Sequence, residues 1–402
     1  MWGIDRLSNG ELSELRKRLR GGGVAALTHA AAVNKNGRDL IGVLDELGVH
    51  PTRLFSPEHG MAGAAQAEEA VATPDTDDGP KLISLYGEDK ASLKPRPEDL
   101  EGIDVLVIDL VDVGSRYYTY VWTALLAARA AHKAGVHTVV LDRPNPLSGS
   151  PSAAEGKAQA EGFTSFVGLE PIPIRHSLTI GELLAYVFAR DEIELGKDGA
   201  LSVVSTRGWE RHQTAHAWSR PFSPPSPNMP SSDTALVYPG GCLVEGTNLS
   251  EGRGTTLPFR LVGAPFLNAA KLCADMNDAA LPGVEVRTAS FKPSFEKHAG
   301  EMCHGVFLTV THEQSFRPVA TYLSLLSLAQ AQAPEQFAFR TETYEFESEI
   351  PAFDLLTGSA AAREAMVADC SAEDLIALVA PVDPSWSDTI LEAESRLRKA
   401  RA

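Results

Sequence analysis

Four stretches of this 402-residue sequence gather side chains capable of chemistry. The first is Ser56-Pro57-Glu58-His59-Gly60, where a carboxyl sits between a proline and a His-Gly turn that can hold it rigidly. The second runs from Asp109 to Tyr120 and carries Asp109, Asp112, Arg116, Tyr117, Tyr118 and Tyr120. The third is Asp142-Arg143-Pro144-Asn145-Pro146. The fourth, Glu245 to Thr256, holds Glu245, Glu251, Asn248, Arg253 and four hydroxyls among three glycines. Carboxyls on rigid turns suit general acid–base work. A loop dense in hydrogen-bonding groups and poor in lysine suits a polyol. Structural readings stand beside these. Asp109 and Asp112 equally suit capping of the helix that follows, Arg143 and Asn145 equally suit turns, and the tyrosines suit a core with one ring facing a cleft.

The elements that must position these groups alternate. Leu12, Leu15 and Leu19 predict a helix over 10–20, and strands are predicted at 23–28, 52–55 and 82–85. Asp104–Leu110 and His137–Leu141 read as strands buried on both faces. Helices are predicted at 38–48 and 118–134, the latter ended by Gly135. Thr179 and Glu182 have capping-box spacing before a helix over Leu183–Ala189, and a strand follows at Leu201–Ser205. Such alternation predicts an α/β fold, a Rossmann-like and mostly parallel sheet over residues 1–222. The first three clusters then fall at strand carboxyl ends, where such sheets bind ligands. Pro221–Pro230, with five prolines, cannot be regular structure and marks the boundary. Residues 223–402 read as a smaller α+β domain. It has helices near 267–279 and 318–330, strands near 284–290, 305–311 and 337–347, and two or three terminal helices.

Composition narrows the function further. A formal charge of −17 without a basic stripe argues against nucleic acid and anionic membranes as partners. Cys242, Cys273, Cys303 and Cys370 form no C-x-x-C pair and read as reduced thiols. With no basic-then-apolar leader and no membrane-length apolar run, the expectation is a cytoplasmic protein. Gly21-Gly22-Gly23 fits a dinucleotide pattern formally, but it follows a helix and opens a strand, the reverse of what that site needs. No metal-ligand spacing is present among the histidines, so neither metal nor cofactor is expected.

The same clusters carry a resemblance. Leu54-Phe55-Ser56-Pro57-Glu58-His59-Gly60, Ser84-Leu85-Tyr86-Gly87, Asp109 through Tyr120 and Leu141 through Leu147 resemble the signatures of the exo-β-N-acetylmuramidase family. Thr179-Ile180-Gly181-Glu182-Leu183, Pro225 through Pro230, Tyr238-Pro239-Gly240, Glu245 through Thr256, Phe291, Lys297-His298 and Cys303-His304-Gly305-Val306 continue it in order. One departure is Thr28-His29-Ala30-Ala31-Ala32, where family members usually carry an Asn-rich T-N-x-T-G string.

The resemblance implies a glycoside hydrolase that removes non-reducing terminal N-acetylmuramic acid from peptidoglycan fragments, in cell-wall recycling. Glu58 is the expected general acid. Its partner would be Glu245, Glu251, Asp109 or Asp112, a tyrosine such as Tyr118, or the substrate's own acetamido group. Arg116, Arg143 and Arg253 are candidates for gripping the lactyl carboxylate. His59, Tyr117, Asn145, Asn228 and Asn248 complete the expected substrate contacts. The competing readings are a hydrolase of another acidic amino sugar and a non-catalytic muropeptide-binding protein.

Overall fold

The computed structural model describes residues 1–71 and 79–402. Six strands form the larger sheet: β1 (Val24–Thr28), β2 (Arg53–Ser56), β3 (Lys81–Ser84), β4 (Val105–Asp109), β5 (His137–Leu141) and β6 (Leu201–Val204). Their order is β3-β2-β1-β4-β5-β6 and every pairing is parallel. This is the doubly wound order, with its switch point between β1 and β4.

The alternation of side chains along each strand divides the core. Ala26, Val105, Val107, Val139 and Leu141 pack on one face with Ile4, Leu15, Leu40 and Leu44. Those partners come from α1 (Gly3–Ser8), α2 (Ser13–Gly21) and α3 (Leu40–Glu46). Ala25, Leu27, Leu106, Ile108 and Val140 face the other way, with Trp122, Leu125, Leu183 and Leu184. Those belong to α4 (Tyr120–Lys133) and α5 (Ile180–Arg190). Thr179 caps α5 in the predicted box with Glu182, and its hydroxyl also reaches Asp142 Oδ2 at 2.8 Å. Gly135, at φ 73°, lets the chain leave α4 in a left-handed conformation closed to most residues.

Pro221–Pro230 forms neither helix nor strand. Beyond it lies α6 (Ser232–Gly241), then a small antiparallel sheet of β7 (Leu261–Ala264), β8 (Val284–Phe291) and β9 (Cys303–Val310) in the order β7-β9-β8. It packs with α7 (Ala269–Asp278), and α8 (Pro318–Gln332) packs in turn on α6 and α7. The sequence analysis did not anticipate β7 or α6. The strand expected near 337–347 does not form. That segment makes two isolated bridges, Thr247 to Phe339 and Tyr344 to Glu347, the second closing a turn through left-handed residues Glu345 and Phe346 at φ 48° and 66°. Its alternating Phe337, Phe339, Tyr344 and Phe346 reflect a loop folded over apolar surface rather than a sheet.

Four helices end the chain: α9 (Ala352–Thr357), α10 (Ala361–Val367), α11 (Ala372–Val379) and α12 (Trp386–Lys399). A division at 222/223 puts one sheet in each part, yet α12 returns to pack on α5. Trp386 Nε1 donates to the His176 carbonyl at 3.0 Å. The last residues lie parallel along β6, with Val203 N to Ala400 O at 2.6 Å and Ala402 N to Val203 O at 3.1 Å. No helix among the described residues is long and apolar enough to cross a membrane.

Candidate active site

Glu58 occupies the turn that leaves β2 and is 5 % exposed. Its Oε2 accepts from the Thr119 hydroxyl at 2.6 Å and its Oε1 from the Glu68 amide at 3.3 Å. Tyr120 donates to the Glu58 carbonyl at 3.0 Å and contacts the Pro225 carbonyl at the same distance. The turn after β2, the start of α4 and the proline segment are thus tied together. His59 has φ 68°. Its Nδ1 lies 2.8 Å from the Ala65 carbonyl, which can only accept, so Nδ1 carries the proton. That leaves Nε2 facing Glu58 Oε1 at 3.9 Å.

These residues line a narrow cleft, partly open to solvent, with about 30 Å³ of free cavity volume. From the first part of the chain its walls are Glu58, His59, Glu68, Tyr117, Tyr118 and Thr119. The proline segment gives Ser226, Asn228 and Met229, and the second part gives Tyr238, Glu245, Arg253, Phe259, Tyr344 and Glu345. A larger opening of about 570 Å³ lies over β3, but none of Glu58, Glu68, Glu245 and Glu345 lines it.

Backbone strain gathers at the pocket. His59, Glu68, Phe259 and Glu345 all line it with positive φ and none is glycine. Such conformations persist where surrounding structure enforces them, and they concentrate at functional sites.

The pocket's carboxyls differ in environment. Burial pushes Glu245 up, but the charge and hydrogen bond of Arg253, aided by Lys297 and the Tyr344 hydroxyl, hold it below the usual carboxylate range. Arg253 Nη2 lies 2.6 Å from Glu245 Oε1, and Tyr344 donates to Oε2 at 2.8 Å. Burial pushes Glu345 well up, and the nearby Glu58 and Glu68 push it further. Tyr86 donates to Glu345 Oε2 at 2.9 Å. Burial also raises Glu68, though Arg340 opposes it across a 3.0 Å ion pair. Tyr118 is raised by burial and stays a neutral phenol.

Of the predicted site residues, Glu58, His59, Tyr117, Tyr118, Asn228, Glu245 and Arg253 meet at this pocket. The others are placed elsewhere. Asp109 is paired with Arg143 (Oδ2 to Nη2 2.8 Å) below the loops, fully buried. Asp112 accepts from the Gly114 amide at 3.0 Å, and burial raises it to about 7. The Arg116 guanidinium donates to the carbonyls of Lys157, Ile172 and Leu356 at 2.7, 2.9 and 2.6 Å. Asn145 bridges the Leu178 carbonyl and the Leu147 amide at 3.0 and 2.8 Å. Glu251 is held by Lys297 at 3.0 Å. Asn248 pins the following segment through Gln336 O at 2.7 Å and Ala338 N at 3.0 Å. Sequence reasoning missed Glu68, Thr119, Tyr238, Tyr344 and Glu345. The last two lie in the segment whose alternation suggested a strand.

Among the described residues, no cluster of His, Cys, Asp and Glu is arranged to hold a metal ion.

A doubly wound domain and a smaller α+β part closing one carboxyl-lined pocket between them fit a hydrolase of sugar linkages, and comparison with known proteins makes the chain a glycoside hydrolase. Residues 24–233 match the family model described as exo-beta-N-acetylmuramidase NamZ, N-terminal, and residues 236–391 match its C-terminal counterpart. The chain belongs to the exo-β-N-acetylmuramidase family. It is 41 % identical over 376 residues to the peptidoglycan beta-N-acetylmuramidase NamZ of Bacillus subtilis (strain 168), covering 93 % of this chain and 86 % of that protein. Two crystal structures of DUF1343 family proteins from Bacteroides fragilis NCTC 9343 share the fold. One has a TM-score of 0.81 at 28 % identity over 99 % of this chain and 97 % of the other. The second has 0.69 at 24 % identity over 100 % and 98 %.

Proposed function

We propose that this protein releases non-reducing terminal N-acetylmuramic acid from peptidoglycan fragments by exo-acting hydrolysis. The observation that carries the reading is the convergence of Glu58, Glu345 and Arg253 on one pocket walled by both parts of the chain. Most glycoside hydrolases use two carboxyls flanking the scissile bond, one to protonate the leaving oxygen and one to serve the anomeric carbon. Glu58, oriented by Thr119, is one of the two.

Recognition of the lactyl carboxylate falls to Arg253. Arg116, held by three backbone carbonyls, and Arg143, paired with Asp109, do not line the pocket. Arg253 lines the pocket, with its Nη2 engaged by Glu245. His59, Tyr117 and Asn228 line the cavity as sugar contacts. Tyr118, kept neutral by burial, suits hydrogen bonding to the sugar better than nucleophilic attack. The four cysteines are free, which suits work in a reducing cytoplasm on recycled wall fragments.

The test is turnover of a chromogenic N-acetylmuramic acid β-glycoside, beside the matching N-acetylglucosamine glycoside. Release from the first with strong discrimination against the second is expected. Binding of muropeptide without turnover would mark a non-catalytic binder, and equal turnover of both would remove lactyl recognition.

A further inference from the structure

Which carboxyl supplies the proton is a separate question, and the sequence reading gives that role to Glu58. The two environments differ. Both Glu58 oxygens accept hydrogen bonds, from Thr119 and from the Glu68 amide. That arrangement satisfies an ionised carboxylate. Glu345 sits on two consecutive left-handed residues, Glu345 and Phe346. Phe346 is clamped edge-on against Tyr86 (5.3 Å between ring centroids) and lies near Phe166 (6.2 Å). Glu345 is 7 % exposed and lines the pocket. Its hydrogen bond comes from Tyr86, in the Ser84-Leu85-Tyr86-Gly87 string that follows β3.

We infer that Glu345 is the proton donor to the leaving oxygen, that Tyr86 is its positioning residue, and that Glu58 is the carboxylate serving the anomeric carbon. This rests on the muramidase reading above. The groups around Glu345 are the carboxyls of Glu58, Glu68 and Glu245 and the phenol of Tyr86. The neighbouring cations pair with other carboxyls, Arg253 with Glu245 and Arg340 with Glu68. Of the groups around it only the Tyr86 hydrogen bond favours a charged Glu345, and burial together with the neighbouring carboxyls outweighs it, pushing its proton affinity well above the ordinary carboxyl range. When two carboxyls share a site, environments that separate their proton affinities define acid and base.

In the reaction, the Glu345 proton passes to the glycosidic oxygen as the C1–O bond breaks, and the bonding pair stays with the departing oxygen. Water then bonds to C1 and its surplus proton leaves through the Glu58 carboxylate. Proton exchange with solvent restores both groups.

The test uses the full-length protein and a series of aryl N-acetylmuramic acid glycosides of increasing leaving-group acidity. Glu345→Gln is expected to lose about 10²–10⁴-fold in kcat/KM on the poorest leaving groups. It should approach wild type on the most acidic, and the alkaline limb of its pH–rate profile should flatten. Glu58→Gln should lose activity on all of them. Tyr86→Phe should move the alkaline limb to higher pH, because the Tyr86 hydrogen bond lowers the Glu345 pKa. A merely structural Tyr86 would leave that limb in place. This variant also probes the donor independently of how well Glu345→Gln folds. The assignment is overturned if the leaving-group dependence appears in Glu58→Gln instead. It is equally overturned if Glu345→Gln costs all glycosides alike through KM. Wild-type cleavage reports on the muramidase reading and the contrast between variants on the proton donor, so the two can fail separately.

Discussion

Thr119 and Glu58, 61 residues apart, meet through a 2.6 Å hydrogen bond between hydroxyl and carboxylate. The bond joins the entrance of α4 to the turn after β2, across the strand β1 that lies between β2 and β4 in the sheet. Together with the Glu68 amide on Oε1, it sets the direction of the carboxylate. Thr119→Val, which keeps the shape, should lower kcat roughly ten- to hundredfold, as expected for a bond to a charged group. KM should change little. Steady-state kinetics with thermal melts as a fold control measure this.

Arg253 carries a second prediction. Arg253→Met should reduce the preference for the N-acetylmuramic over the N-acetylglucosamine glycoside by about 2–5 kcal/mol. Activity on both should also fall, since Glu245 loses its ion-pair partner. The ratio of kcat/KM values is the readout, because lost support for Glu245 affects both substrates. An unchanged ratio would place lactyl recognition elsewhere.

Arg116 should behave in the opposite way. Its side chain is fully buried and joins three segments through the carbonyls of Lys157, Ile172 and Leu356. Arg116→Met leaves those acceptors without their donor, at about 1–3 kcal/mol each. Denaturant melts should show a loss of several kcal/mol, while the remaining folded enzyme keeps its substrate preference.

Glu345 links the site to stability. Its native pKa is raised, so near neutral pH the folded state binds more protons at this position than the unfolded state, whose value is near 4.5. The favourable contribution of the protonated form is complete below that value and is lost as pH climbs toward the native pKa. Glu345→Gln is always neutral. Its melting temperature should therefore gain on the wild type as pH rises from about 5 to about 8. A difference independent of pH would mean that Glu345 titrates normally.

Much of this was legible in the sequence because the larger sheet is written in local patterns. Continuous apolar runs such as Val105–Ile108 are buried whichever way they face. The box at Thr179 and the prolines of 221–230 are punctuation that tertiary contacts do not override. Glu58, Glu245 and Arg253 could be singled out because each lies in a polar, glycine-flanked string. Arg116 looked the same in sequence, and only its three carbonyl partners separate it from a ligand-gripping arginine. Glu345 was hidden for a different reason. Its place depends on a left-handed turn that no glycine announces, in a segment whose alternating aromatics imitate a strand.

The return of the chain end to β6 has a consequence for solubility. An outermost strand with free amides and carbonyls is a template for pairing with another molecule. Here Ala400 and Ala402 occupy the Val203 backbone groups, and α12 covers α5 beside them. The closing residues act as an intramolecular guard against edge-to-edge association. A chain cut at the proline segment would retain the whole parallel sheet yet leave that border open, so it should self-associate in light scattering where the intact chain stays dispersed.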